Sequence, residues 1–123
     1  MNISKFKKWN NLIGFITFLI AFTTYSLTVE PTASYWDAAE YISTSAKLQV
    51  GHPPGAPFFQ MLGAFFASFA SNPDQIAFMV NMMSVFASAF TILFLFLTIT
   101  IIGEKIVLKN NSISNSNAII ILG

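Results

Sequence analysis

Two carboxylates and one imidazole lie near one another in the sequence, between two long apolar runs. Asp37 and Glu40 are three residues apart, and His52 follows twelve residues after Glu40. On a helix, side chains three residues apart share a face, with their Cβ atoms about 5–6 Å from each other. Paired carboxylates at that separation suit general acid/base chemistry or the binding of an ion. The spacing is therefore compatible with such a site at Asp37 and Glu40.

The histidine opens a turn with the sequence His52-Pro53-Pro54-Gly55. Proline fixes its own φ and restricts the residue before it, whereas glycine permits unusual backbone angles. Such a turn is rigid enough to hold His52 near the two carboxylates. The alternative is that this turn only connects the preceding segment to a helix that starts around Pro57, since proline suits the first helical turn.

Other interpretations of these residues require no catalytic function. Ser34-x-x-Asp37 resembles a capping box, and an acid in the first turn of a helix is stabilised by the helix dipole. Trp36 either lines a sugar-binding surface or lies at the level of the lipid headgroups. The sequence requires no cofactor. A divalent cation held by Asp37, Glu40 and His52 is conceivable, but two oxygens and one imidazole specify no particular metal.

The composition is that of a membrane protein. Of the 123 residues, 54% are hydrophobic and 9% are charged, against about 25% charged in soluble domains. Six lysines and five acids leave a net charge of +1, with no basic stripe to neutralise phosphates. This composition argues against a disordered chain and against a nucleic-acid binder. The absence of cysteine excludes disulfides and thiolate metal sites.

Two long uncharged runs predict transmembrane helices at residues 9–29 and 75–103. The first run has 21 uncharged residues and reaches about 30 Å as a helix. A cleaved signal peptide is the alternative there, but the run is long and no A-x-A-like site follows it. Within residues 76–102 of the second run, Asn81 is the one strongly polar side chain, which we expect to bond a neighbouring helix rather than a substrate.

Between the spans, residues 30–74 form a predicted outer loop with a short surface helix and a further apolar segment. That segment, residues 56–70, is shorter than the about 20 residues needed to cross a bilayer, so we expect an interfacial or re-entrant helix. Two crossings put five of the six lysines on one side, which the positive-inside rule makes cytoplasmic. The N-terminal residues 1–8 are then cytoplasmic, and lipid surrounds the spans.

A cytoplasmic loop is predicted at residues 104–117, because NNSISNSN is polar and rich in turn-forming residues. Residues 118–123 begin another apolar run, so we expect the chain to break off inside a further span. The predicted fold is an all-α membrane protein with two transmembrane helices plus the start of a third.

Three motifs together are specific: W-D-x-x-E, K-L-Q-V-G-H-P-P-G-A-P and M-V-N. From about residue 31 to about residue 100, the chain resembles the start of a bacterial membrane family long described as of unknown function. An animal relative of that family is a transmembrane protein O-mannosyltransferase. The wider class is that of the GT-C glycosyltransferases, whose members have many more spans.

The resemblance implies inverting transfer of a sugar from a polyprenyl-phosphate donor to an acceptor hydroxyl, in the bacterial inner membrane. Asp37 matches the acid of the family motif and would be the general base. Glu40 would orient the acceptor or support Asp37. Lys47 and His52 are the candidates in this loop for binding the leaving phosphate, which needs positive charge or oriented N–H donors. Trp36 is the candidate for binding the sugar.

Two departures from the family pattern stand out. Ala39 takes the place of an expected glycine, and Ala64 stands where many relatives carry arginine. Later helices supply the rest of the donor site in this class, so this portion alone is expected to be inactive. The competing interpretation is a non-catalytic membrane fragment or a helical partner subunit. A channel or transporter is disfavoured, because neither predicted span contains a charged residue.

Overall fold

The computed structural model describes residues 3–34 and 36–122, with side chains described for 6–34 and 36–109. Within this part of the chain every regular element is helical and no strand is present. The all-helical prediction is therefore confirmed. The elements are α1 (Ile3–Thr28), α2 (Asp37–Ala46), α3 (Pro57–Ala67), a short 3-10 helix (Pro73–Gln75) and α4 (Ile76–Leu122).

Two of these helices are long and apolar enough to cross a membrane, over Phe6–Thr28 and Pro73–Lys109. They correspond to the two predicted spans. Few of their side chains are buried within the chain, whereas the core helix of a soluble protein is mostly covered by its neighbours. In α1, the hydroxyl groups of Thr17 and Thr24 each donate to the carbonyl four residues earlier at 2.9 Å.

The structure differs from the predicted cytoplasmic loop at residues 104–117. Helix α4 continues through this segment and ends at Leu122. Asparagine and serine cost only fractions of a kcal/mol per residue in a helix, and residues 104–122 contain neither proline nor glycine to break one. The apolar character predicted for 118–123 concerns side chains that lie outside the described part.

The chain divides into two compact units, the first formed by residues up to Phe18 together with those from Thr91 onward. In this unit α1 and α4 approach closely at Gly14. A Cβ added there would lie 3.3 Å from atoms of Leu93, Phe96 and Leu97. Small residues let membrane helices pack at short range, so Gly14 marks the contact between the two helices.

The second unit, Leu19–Phe90, contains α2 and α3. These two helices pack through small residues. Ser45 is completely buried, and a Cβ added at Gly63 would come within 2.5 Å of its Oγ. One turn away, the buried Gln60 donates from Nε2 to Thr44 Oγ1 at 3.2 Å. Gly63 allows the close approach of the two helices. The hydrogen bond from the Gln60 side chain to Thr44 keeps them in register.

Helix α2 ends in a turn that sends the chain back towards its own beginning. Leu48 takes a left-handed conformation with φ of 48°. Its N–H donates to Ser45 O at 3.2 Å, and the Gln49 N–H donates to Thr44 O at 2.8 Å. These are the two bonds of a Schellman motif, in which glycine usually takes the left-handed position. The turn brings the His52 segment alongside α2.

Candidate functional site

The structure brings Glu40 and His52 into direct contact through two hydrogen bonds. The backbone N–H of His52 donates to Glu40 Oε1 at 2.7 Å, and the ring Nδ1 lies 2.6 Å from Oε2. A carboxylate can only accept, so Nδ1 carries the proton. Both side chains remain partly open to solvent, 53% exposed for His52 and 37% for Glu40. We name this pair of contacts the Glu40–His52 clamp.

The clamp shifts both pKa values in the direction that favours the ion pair. The backbone hydrogen bond from His52, followed by the ring hydrogen bond, lowers the pKa of Glu40. The ring hydrogen bond to Glu40 and the charge of that carboxylate raise the pKa of His52, with a smaller contribution from Asp37. The imidazolium form is therefore stabilised next to two carboxylates.

Asp37 is the first residue of α2 and is exposed. Its carboxylate has no hydrogen-bond or ion-pair partner among the described side chains. The predicted capping box is not formed, because the N-cap residue is Trp36 and no side chain caps the helix. Asp37 and Glu40 both lie in the first turn, where the helix dipole stabilises negative charge. Asp37 is thus an accessible carboxylate beside the clamp.

The three groups predicted as cation ligands do converge. One donor atom from each of Asp37, Glu40 and His52 lies within 4.8 Å of the other two. Nδ1 of His52 cannot bind a metal while it donates to Glu40, so a cation would use Nε2 or displace that proton. The arrangement is compatible with a divalent cation but requires none.

Among the described contacts, neither of the other two predicted substrate-binding residues bonds to the clamp. Trp36 directly precedes α2 with its side chain 93% exposed, and its φ of 36° is unusual for a bulky residue. An indole displayed in this way suits stacking on a sugar as well as contact with lipid headgroups. Lys47 caps the opposite end of α2, about 15 Å along the helix axis, and forms no ion pair among the described side chains.

Two supporting residues were missed by the sequence reasoning. A Cβ added at Gly51 would lie 3.1 Å from both Glu40 Oε1 and Gln60 Nε2. The chain therefore passes between the clamp and the buried amide at a residue without a side chain. Gln60 could have been noticed, because it is the one polar residue in the sequence of α3.

A cavity of about 270 Å³ lies among α2, α3 and α4, with Tyr41, Phe59 and Val80 in its mainly apolar wall. Asn81 also lines it, and its Nδ2 donates to the backbone carbonyls of Glu30 at 2.8 Å and Thr32 at 3.1 Å. Asn81 thus ties the segment after α1 to α4, whereas the sequence predicts a bond to a neighbouring helix.

The comparisons with known proteins agree with the motifs. The family described as the Protein O-mannosyl-transferase TMEM260 N-terminal domain matches residues 37–123. A curated relative, the protein O-mannosyl-transferase tmem260 of Dictyostelium discoideum, is 33% identical over 85 residues. Those residues cover 68% of this chain and 10% of the relative, so the chain spans about a tenth of that protein. No solved structure matches.

The matched region starts at Asp37 and includes Glu40, Lys47 and His52. The predicted relationship to the animal O-mannosyltransferase is confirmed by the family match and by the identity to the curated relative. This chain belongs to the TMEM260 N-terminal domain family.

Proposed function

We propose that this chain is the N-terminal portion of an integral-membrane inverting glycosyltransferase. It transfers a sugar, mannose by analogy with the named relative, from a polyprenyl-phosphate donor to an acceptor hydroxyl of a protein. The observation that carries the proposal is the accessible carboxylate of Asp37, which lies beside the Glu40–His52 clamp and has no hydrogen-bond or ion-pair partner in the described part of the chain. Family membership supports the reaction class, and the remaining donor contacts come from other parts of the complete protein.

In this proposal Asp37 acts as the general base. A base must lie about 3 Å from the acceptor oxygen so that it takes the proton as the new C–O bond forms at the sugar. The bond from the anomeric carbon to the phosphate oxygen breaks, and its electron pair leaves with the phosphate. The exposure of Asp37 at the start of α2 supports this role, because an acceptor can reach it without displacing a protein partner.

The proposal puts the chain in the bacterial inner membrane, with its N-terminus in the cytoplasm. The two long apolar helices support membrane insertion. Lysines near the start of α1 and in the later part of α4 support the orientation, because positive residues accumulate on the cytoplasmic side. The clamp and Asp37 then lie on the outer side, where a lipid-linked sugar would be presented to them.

The test is the Asp37→Asn variant of the complete protein, assayed in membranes with radiolabelled polyprenyl-phosphate mannose and a serine/threonine peptide. Asparagine keeps the size of the side chain but cannot take a proton. General bases contribute about 10²–10⁴-fold, so we expect transfer to fall by at least about a hundredfold. The matched control is Asp74→Asn, in the 3-10 helix of the same loop, which should keep the wild-type rate. Transfer by Asp37→Asn within threefold of wild type at equal abundance would refute the proposal and favour a non-catalytic membrane fragment or partner subunit.

A further inference from the structure

The Glu40 carboxylate is already committed to a single partner. Both of its oxygens accept hydrogen bonds from His52, one from the backbone and one from the ring. A carboxylate held in this way is poorly suited to take a proton from a substrate, because its bonds to His52 stabilise the charged form. The sequence predicts Glu40 as a catalytic residue together with Asp37, whereas the contacts give the two acids different surroundings.

Residues next to the clamp also hold the His52 segment in place. Gly51 passes between Glu40 and Gln60, where a Cβ would lie only 3.1 Å from each side chain, closer than an ordinary van der Waals contact. Gln60 is buried and bonds to Thr44 of α2. The His52-Pro53-Pro54-Gly55 turn is closed by its own bond from the Gly55 N–H to the His52 carbonyl at 2.8 Å. The imidazole ring is therefore attached to a segment fixed to both α2 and α3.

The charges of the cluster indicate which substrate it suits. Glu40 and His52 neutralise each other when the ring is protonated, and Asp37 adds one negative charge that forms no ion pair with the described side chains. The nearest lysine in the sequence, Lys47, is at the far end of α2. A cluster with a net negative charge attracts a phosphate poorly and accepts a neutral hydroxyl well. This argues against His52 as the partner of the leaving phosphate.

We propose that Glu40 is a positioning residue that holds the His52 ring towards the acceptor, and that His52 Nε2–H binds an acceptor oxygen next to the hydroxyl that Asp37 deprotonates. This inference rests on the proposed transferase function and assigns the cluster to the acceptor side. An oxygen suited to Nε2–H is the backbone carbonyl of the acceptor peptide, which is neutral and close to a serine or threonine hydroxyl. The donor phosphate is then bound by residues outside the cluster.

Two variants of the complete protein test this assignment. Glu40→Gln keeps an acceptor for the His52 backbone N–H, but its NH₂ group cannot accept from Nδ1. His52→Gln keeps the backbone contact and removes the ring, so it tests the ring even if Glu40→Gln folds poorly. The matched control is Glu30→Gln, the same chemical change in the same loop at a residue whose side chain bonds to Thr32.

The measurement is the Michaelis constant for each substrate, with radiolabelled polyprenyl-phosphate mannose and a serine/threonine peptide. Loss of a charge-assisted bond predicts a rise of about tenfold or more in KM for the peptide. The KM for the donor should stay within twofold. A rise confined to the donor KM would overturn the proposal and assign His52 to the phosphate. Unchanged constants for both substrates would overturn it as well.

A spectroscopic measurement separates positioning from general structural support. In a histidine-labelled sample of the complete protein, the ¹⁵N signals of the His52 ring are identified as those that are missing from the spectrum of the His52→Gln variant. We expect Glu40→Gln to remove the proton from Nδ1 at neutral pH, whereas Glu30→Gln leaves the ring signals unchanged. Identical ring signals in wild type and Glu40→Gln would contradict the positioning role. The transferase proposal fails separately, because Asp37→Asn tests whether transfer depends on that carboxylate.

Discussion

Substitution of Gly63 by alanine should force α2 and α3 apart. The new Cβ would lie 2.5 Å from Ser45 Oγ and 2.7 Å from Ser45 Cβ. Rotation of the serine side chain relieves only the first overlap, because Cβ is fixed to the backbone of α2. Overpacking of this kind costs about 1–3 kcal/mol. The higher helix propensity of alanine favours α3 equally in the docked and undocked states, so it leaves the free energy of separation unchanged.

The assay uses the absence of cysteine from the chain. In an Ile42→Cys background, the thiol lies on the buried face of α2 and reacts with a maleimide only when the helices separate. The expected destabilisation corresponds to about 5–150-fold faster labelling of the Gly63→Ala variant. Gly103→Ala is the control, because a Cβ at Gly103 meets no atom within 4 Å. Removal of both overlapping atoms by Ser45→Gly should slow the labelling of Gly63→Ala again. Equal labelling rates for Gly63→Ala and Gly103→Ala would refute this account of the helix contact.

Two further predictions concern the outer loop. Exchange protection of the His52 amide should be greatest between about pH 4.5 and 6.5, the ordinary pKa values of Glu40 and His52. The pKa of Glu40 is lowered, so its stabilisation of the clamp is lost as the pH falls below this range. The pKa of His52 is raised, so its stabilisation of the clamp is lost as the pH rises above the range. Hydrogen exchange measured by NMR checks this, and a pH-independent protection factor would contradict it. Asn81→Ala removes two hydrogen bonds to the segment after α1, each contributing about 1 kcal/mol. A nitroxide spin label attached to this segment through Ala33→Cys should therefore become more mobile, as measured by its electron paramagnetic resonance spectrum. Ser84→Ala, one turn further along α4, should leave that spectrum unchanged, and an equally unchanged spectrum for Asn81→Ala would show that the loop does not depend on this amide.

Much of the fold follows from properties that are local in the sequence. A long uncharged apolar run predicts a membrane-length helix because the backbone must satisfy its own hydrogen bonds in lipid. The first turn of α2 is equally local, since Asp37 and Glu40 share it through their spacing alone. The helix at Pro57 follows from the preference of proline for the first helical turn.

The contact between Glu40 and His52 is suggested by the sequence, but its geometry depends on packing that the sequence does not reveal. It requires the reversal of the chain at Leu48, which takes a left-handed conformation. A leucine does not predict this conformation, because glycine is the residue that usually takes it. It also requires the passage of Gly51 beside Gln60, which is visible only once α2 and α3 are packed. For residues 104–117, the polar composition predicts a loop, whereas α4 continues through them. A polar composition alone does not end a helix.

The Glu40–His52 clamp also changes the entropy of ligand binding. It joins His52 to the first turn of α2, so the segment that follows this helix, residues 47–52, is fixed before any ligand arrives. A free loop of this length would lose conformational freedom on binding, and the ligand would bind more weakly by that amount. Here the ordering cost is met during folding of the protein. An acceptor that reaches the start of α2 therefore meets a preorganised surface, and its binding energy remains available for orienting the reacting hydroxyl.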